Sequence, residues 1–248
     1  MTPAHIPPHR PVPPPRRLPP EVVFARRQAY LRQKRIKRRR RRIFFCTVFA
    51  LALCIGGILT IMKHQRLQNA YEAEMPDWVT PAYISYHTSA RTGEKLTAVR
   101  GIVIHYVGNP GSTAEGNRDY FDSPTTEVSA HFVVGLDGEI LQCLPLAEKS
   151  AASNHRNSDT ISIETCHPDE TGKFNDVTYA SLVRLTAYLC DRFSLDADDV
   201  IRHYDVTGKL CPLYYVEHED AWETLRADIA TAIRQLRSDG ADTENGLF

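Results

Sequence analysis

The sequence predicts a mixed α/β domain, a central β-sheet flanked by helices, preceded by one apolar helix able to span a membrane. Three observations carry that reading. Short β-branched runs bounded by glycines and turn residues fill the stretch from residue 100 to 166. After residue 175 the apolar spacing changes to a helical period. Near the N-terminus, residues 43–62 run for twenty positions without a charge.

The N-terminal part comes first in the chain. Residues 1–42 hold fourteen of the thirty Lys+Arg but a single acid, Glu21, together with nine of the sixteen prolines. Sequence of that composition buries too little apolar surface to offset chain entropy and is expected to be a disordered tail. The run "IFFCTVFALALCIGGILTIM" then matches the roughly 30 Å hydrocarbon thickness of a bilayer at about 1.5 Å per residue. It exceeds the about 7–15 apolar residues of a cleaved signal peptide, and "KHQRLQNAYEAE" after it offers no A-x-A site. It therefore reads as an uncleaved anchor. Positive charge before the span places the tail in the cytoplasm and residues 63–248 outside. The run "RQKRIKRRRRR" is then a topology signal lying against anionic lipid, and no nucleic-acid partner is expected.

Residues 63–76 form a polar juxtamembrane linker that continues the helix briefly before Pro76, and "TPAYISYHTSARTGEKL" is a lead-in loop. "RGIVIHYVG", residues 100–108, is a central strand. "AHFVVGLDGEILQCLPL" is a hairpin turning at Asp137-Gly138. "DTISIETC", residues 159–166, is another buried strand. Val177, Leu182, Leu185, Leu189 and Phe193 mark one face of a helix capped by Asn175 or Asp176. Trp222, Leu225, Ile229, Ile233 and Leu236 mark the face of a last helix from about residue 220 to 236. The domain is expected over residues 77–237, with a polar tail at 238–248.

Among these elements His105, His203 and Cys211 suit a zinc site. Two imidazoles and a thiolate are ligands zinc accepts, and three protein ligands leave a fourth position open for water. Lys209, two residues before the cysteine, is placed to stabilise negative charge on a carbonyl oxygen. Glu164, the acid in "ISIETC", is the candidate base. Cys46 and Cys54 fall in the apolar span as small fillers. With Cys211 on a metal, at most one disulfide can form among Cys143, Cys166 and Cys190.

The segments "GIVIHYVGNPG", "SAHFVVGLDGEI", "NSDTISIE" and "RHYDVTGKLCP" together resemble the zinc-dependent N-acetylmuramoyl-L-alanine amidases of the amidase-2 family. That family shares a fold with T7-type lysozymes and peptidoglycan recognition proteins. The resemblance covers roughly residues 77–237. It implies zinc held by His105, His203 and Cys211, with Glu164 as general base and Lys209 as oxyanion stabiliser. It further implies hydrolysis of the amide between the lactyl group of N-acetylmuramic acid and L-alanine, with peptidoglycan as partner, and substrate contacts at His131, His155 and Asn157. The chain departs from the pattern at three places. Ala130 stands where the T7 branch has tyrosine, and Ser162 where the S-I-G-I-E strand has glycine. "AASNHRN" stands where many relatives carry a Trp-His pair. A non-catalytic muropeptide receptor of the same fold is the alternative. The joint presence of Cys211, Lys209 and Glu164 favours the enzyme.

Overall fold

The computed structural model describes residues 19–85 and 89–245, so most of the proline-rich N-terminal segment and part of the lead-in loop lie outside the description. The chain divides into two compact units, Met1–Met62 and Lys63–Phe248. What is described of the first is helix. Helix α1, Pro20–Glu72, runs for 53 residues through the apolar stretch and is long and apolar enough to cross a membrane. Its start corrects the expectation of disorder through residue 42. The last N-terminal proline, Pro20, opens the helix, where a missing N–H costs nothing. The Arg, Lys, Gln, Ala and Leu residues that follow are good helix formers.

In the second unit, the final turns of α1 meet Arg192. Its guanidinium donates to the carbonyl oxygens of Ala70 (2.6 Å), Glu74 (3.2 Å) and Ala73, satisfying acceptors that the helix end leaves open. Among the described residues six strands follow: β1 Thr80–Pro81, β2 Ile102–Ile104, β3 Phe132–Val134, β4 Ile140–Gln142, β5 Ile161–Thr165 and β6 Val200–Arg202. Their order in the sheet is β1-β4-β3-β5-β2-β6. Only β3 and β4 pair antiparallel, through the expected hairpin, whose Gly138 takes φ +83°. The other pairs are parallel, so the sheet is mixed.

Strand alternation sorts the side chains. Ile102, Ile104, Phe132, Ile161 and Ile163 face one core with α3 (Asp176–Phe193) and α6 (Glu219–Asn245), meeting Leu182, Leu185, Leu189, Leu225 and Ile229. On the other face Val133 and Leu141 pack with Phe121 of α2, Ala114–Phe121. Two residues assigned to helix faces lie at the surface instead. Val177, 55% exposed, sits in the first turn of α3 beside the hairpin turn, and Leu236, 42% exposed, lies beyond the last buried turn of α6.

Register then determines where the chemistry falls. Ile104 pairs with Ile163 of β5 on one side and Arg202 of β6 on the other. The residues just beyond, His105, Glu164 and His203, therefore gather at the C-terminal ends of three adjacent parallel strands, where clefts in such sheets open.

Candidate metal centre

His105 follows Ile104 on the face opposite the helical core, and its N–H donates to Ile163 O at 2.8 Å. His203 opens α4, His203–Thr207. That helix stops at Gly208, whose φ of +80° turns the chain back. Tyr204 N then donates to Cys211 O at 2.9 Å, which lays Cys211 beside the helix start. One buried ligand atom from each of His105, His203 and Cys211 lies within 4.8 Å of the others. Cys211 Sγ is 3.7 Å and Glu164 Oε1 3.9 Å from His105 Nδ1, and the two imidazole centroids are 4.7 Å apart.

The donor set suits a cation. His203 Nδ1 and Glu164 Oε2 are buried polar atoms with no hydrogen-bond partner. Burial holds His105 well below the ordinary imidazole range, helped by the neighbouring His203 and Lys209, and it lowers His203 as well. Both rings are thus neutral, the form that binds metal. Burial pushes the Cys211 thiol up to about 12, with the Glu164 charge adding to it. Burial also raises Glu164 to about 8, against the lowering pull of Lys209. Ionising both this thiol and this carboxyl in a poorly solvated site would require a compensating positive charge, which a dication among the three ligands would supply.

These groups open into a cavity of about 650 Å³ that His105, Glu164, His203 and Lys209 line together with Tyr106, Asn117 and Glu127. Lys209 is exposed at its rim. The expected substrate contacts fare differently. Asn157 lines the cavity, but its Oδ1 accepts from Ala152 N (3.1 Å) and Ser153 N (2.6 Å). His155 is exposed and outside the lining. His131 does not reach the cavity, and its assignment as a substrate contact is corrected. The ring is fully buried, with Nδ1 bonded to Ser162 N at 3.0 Å and Nε2 to Glu148 O at 2.8 Å. Ser153 and Asn154, which sequence reasoning left without roles, lie directly against the metal-site histidines. Their only sequence signal is the departure of "AASNHRN" from the family pattern.

Residues 95–213 match the amidase-2 family model, described as N-acetylmuramoyl-L-alanine amidase. This segment belongs to the amidase-2 family. Among curated relatives, the N-acetylmuramoyl-L-alanine amidase CwlL of Bacillus licheniformis is 30% identical over 168 residues, 61% of this chain and 46% of the relative. BlyA of Bacillus subtilis (strain 168), also an N-acetylmuramoyl-L-alanine amidase, is 32% identical over 160 residues, 56% of this chain and 43% of the relative. The chain thus spans less than half the length of either. The solved catalytic domain of XlyA superposes with a TM-score of 0.53 at 27% identity, covering 61% of this chain and 98% of that domain. The amidase-2 segment contains β2 to β6 and both ends of the His-His-Cys cluster, so the family match and the cluster concern the same piece of chain.

Proposed function

We propose that this chain is a membrane-anchored zinc amidase that hydrolyses the amide joining the lactyl group of N-acetylmuramic acid to the L-alanine of the stem peptide. The observation that carries the reading is the convergence of His105, His203 and Cys211, with Glu164 alongside, next to a cleft that both histidines and Glu164 line. His105, His203 and Cys211 hold the ion. When bound, zinc acidifies water and polarises a carbonyl oxygen. Glu164 takes the proton of the attacking water and returns it to the departing amine; its unpartnered Oε2 leaves it free for that exchange. The Lys209 ammonium, at the cavity rim, steadies the negative charge that develops on the carbonyl oxygen. Residues 43–62 form the span, the N-terminal segment is cytoplasmic, and the domain at 77–237 faces the wall.

The test is a mass-spectrometric digest of purified peptidoglycan by the full chain in detergent. The expected products are free stem peptides beginning with L-alanine and glycan strands bearing intact lactyl groups. Glu164→Gln should keep zinc while losing about 10²–10⁴-fold in turnover. Retention of muropeptides by a zinc-loaded chain without any cleavage would make it a receptor instead.

A further inference from the structure

The loop before β5 carries an arrangement that the amidase reading does not require by itself. Asn154 Oδ1 lies 3.0 Å from His203 Nε2, and Ser153 Oγ lies 3.1 Å from His105 Nε2. A carbonyl oxygen can only accept, so His203 carries its proton on Nε2 and turns the Nδ1 lone pair inward. That is the same Nδ1 left buried and unpartnered. His105 has the matching geometry: Nε2 meets a hydroxyl, and Nδ1 faces Cys211 Sγ.

The loop is held in place to do this. Ser153 is fully buried, and Asn154 adopts a left-handed backbone with φ +52°, a conformation asparagine tolerates better than most residues. The Asn157 carboxamide fastens the backbone N–H groups of Ala152 and Ser153. Upstream, Ala151 N donates to Ser129 Oγ at 3.1 Å. A strained turn that delivers two consecutive polar side chains to two different imidazoles is over-determined by its surroundings, as backbone strain near a working site tends to be.

We infer that Ser153 and Asn154 are paired positioning residues, which fix the ring orientation of His105 and His203, and for His203 the tautomer as well, so that both Nδ1 atoms present to one ion, and that Asn157 sets the loop rather than reading substrate. The inference rests on the zinc reading above. Partners of this kind orient ligands and raise their basicity, and losing one weakens metal binding by about 10–100-fold.

Zinc affinity of the full chain in detergent, measured by competition with a chromogenic chelator, tests it. Cobalt(II) absorption gives a second readout independent of turnover. Ser153→Ala removes one oxygen, and Asn154→Gly removes the acceptor while accepting the positive φ. Each is expected to bind zinc about 10–100-fold more weakly and to shift the cobalt spectrum. Asn154→Asp, which keeps an acceptor at that place, is expected to stay near the wild-type affinity. Wild-type affinity in both Ser153→Ala and Asn154→Gly would overturn the inference while leaving the zinc reading intact. Equal loss in Asn154→Asp and Asn154→Gly would overturn it too, since the acceptor would then be irrelevant. A wild-type chain that binds no zinc would instead remove the reading on which the inference rests.

Discussion

His131 is wholly enclosed, and its hydrogen bonds are those of a neutral ring: Nδ1 accepts from Ser162 N while Nε2 donates to Glu148 O. Burial lowers it from 6.5 to about 4, although the Glu148 carbonyl and carboxylate pull the other way. Arg91 grips that carboxylate at 2.8 Å, so the charge nearest the ring is already engaged. Between pH 6.5 and 4 the unfolded chain binds a proton that the folded chain refuses. Stability therefore rises with pH across that window and falls as acid is added. From pH 7 to pH 5 the expected loss through this ring is about 2 kcal/mol. Denaturant midpoints of wild type and His131→Gln at both pH values check it, with the variant expected to show the shallower decline. An identical decline in both would place the proton uptake elsewhere. Single side chains were unevenly legible in the sequence. His105, His203 and Cys211 stood out because their residue types and order match a family pattern. A buried histidine and a cleft histidine look alike in sequence, and the work of Ser153 and Asn154 depends on a left-handed turn that no spacing announces.

Elements long enough to display a period were legible; the shorter ones were not. α3 and the Asp137-Gly138 hairpin follow from apolar spacing and turn chemistry. α2 buries only Ala114, Asn117 and Phe121, so its eight residues show no apolar stripe, and Thr113 as its cap was the one available signal. β6, three residues long, is too short to show alternation. The sequence also leaves unsaid how the legible elements are joined. Asn175 Oδ1 caps α3 through Thr178 N (2.9 Å), and its Nδ2 donates to Leu136 O (2.9 Å) in the hairpin. Thr178 Oγ1 donates to Gly135 O and Ser181 Oγ to Gly138 O, so the first turn of the helix clamps the β3–β4 turn. Asn175→Ala removes both the cap and the tie, and is expected to cost about 1–2 kcal/mol. Asn175→Asp keeps the cap acceptor and should cost less, because only the bond to Leu136 is lost. Equilibrium unfolding of the two variants separates these contributions; equal costs would mean the cap contributes nothing.

Across the chain as a whole, charge is partitioned more sharply than the zero net charge suggests. Fourteen basic residues and one acid precede the apolar stretch, leaving sixteen basic and twenty-nine acidic residues for the remainder. This split was legible from composition alone. The helical state of residues 20–42 was not, because arginine-rich sequence is compatible with either coil or helix until an adjoining apolar helix nucleates it. The proposed orientation of the chain rests on the same asymmetry. Clusters of Lys and Arg tend to be retained on the cytoplasmic side; residues 37–42 are all Lys or Arg, and the segment behind Met62 carries only Lys63 and Arg66 close to the boundary. Peptidoglycan lies on the other side, so the orientation and the proposed substrate require each other. Protease added to intact cells stripped of wall is expected to destroy a C-terminal epitope on the chain and to spare an N-terminal one. Neutralising residues 37–42 with glutamine should weaken that asymmetry, since the retained charge is what opposes translocation. Protection of the C-terminal epitope in the unaltered chain would put the cleft in the cytoplasm, where the wall amide is out of reach, and the proposed activity would fail on topology even with every ligand in place.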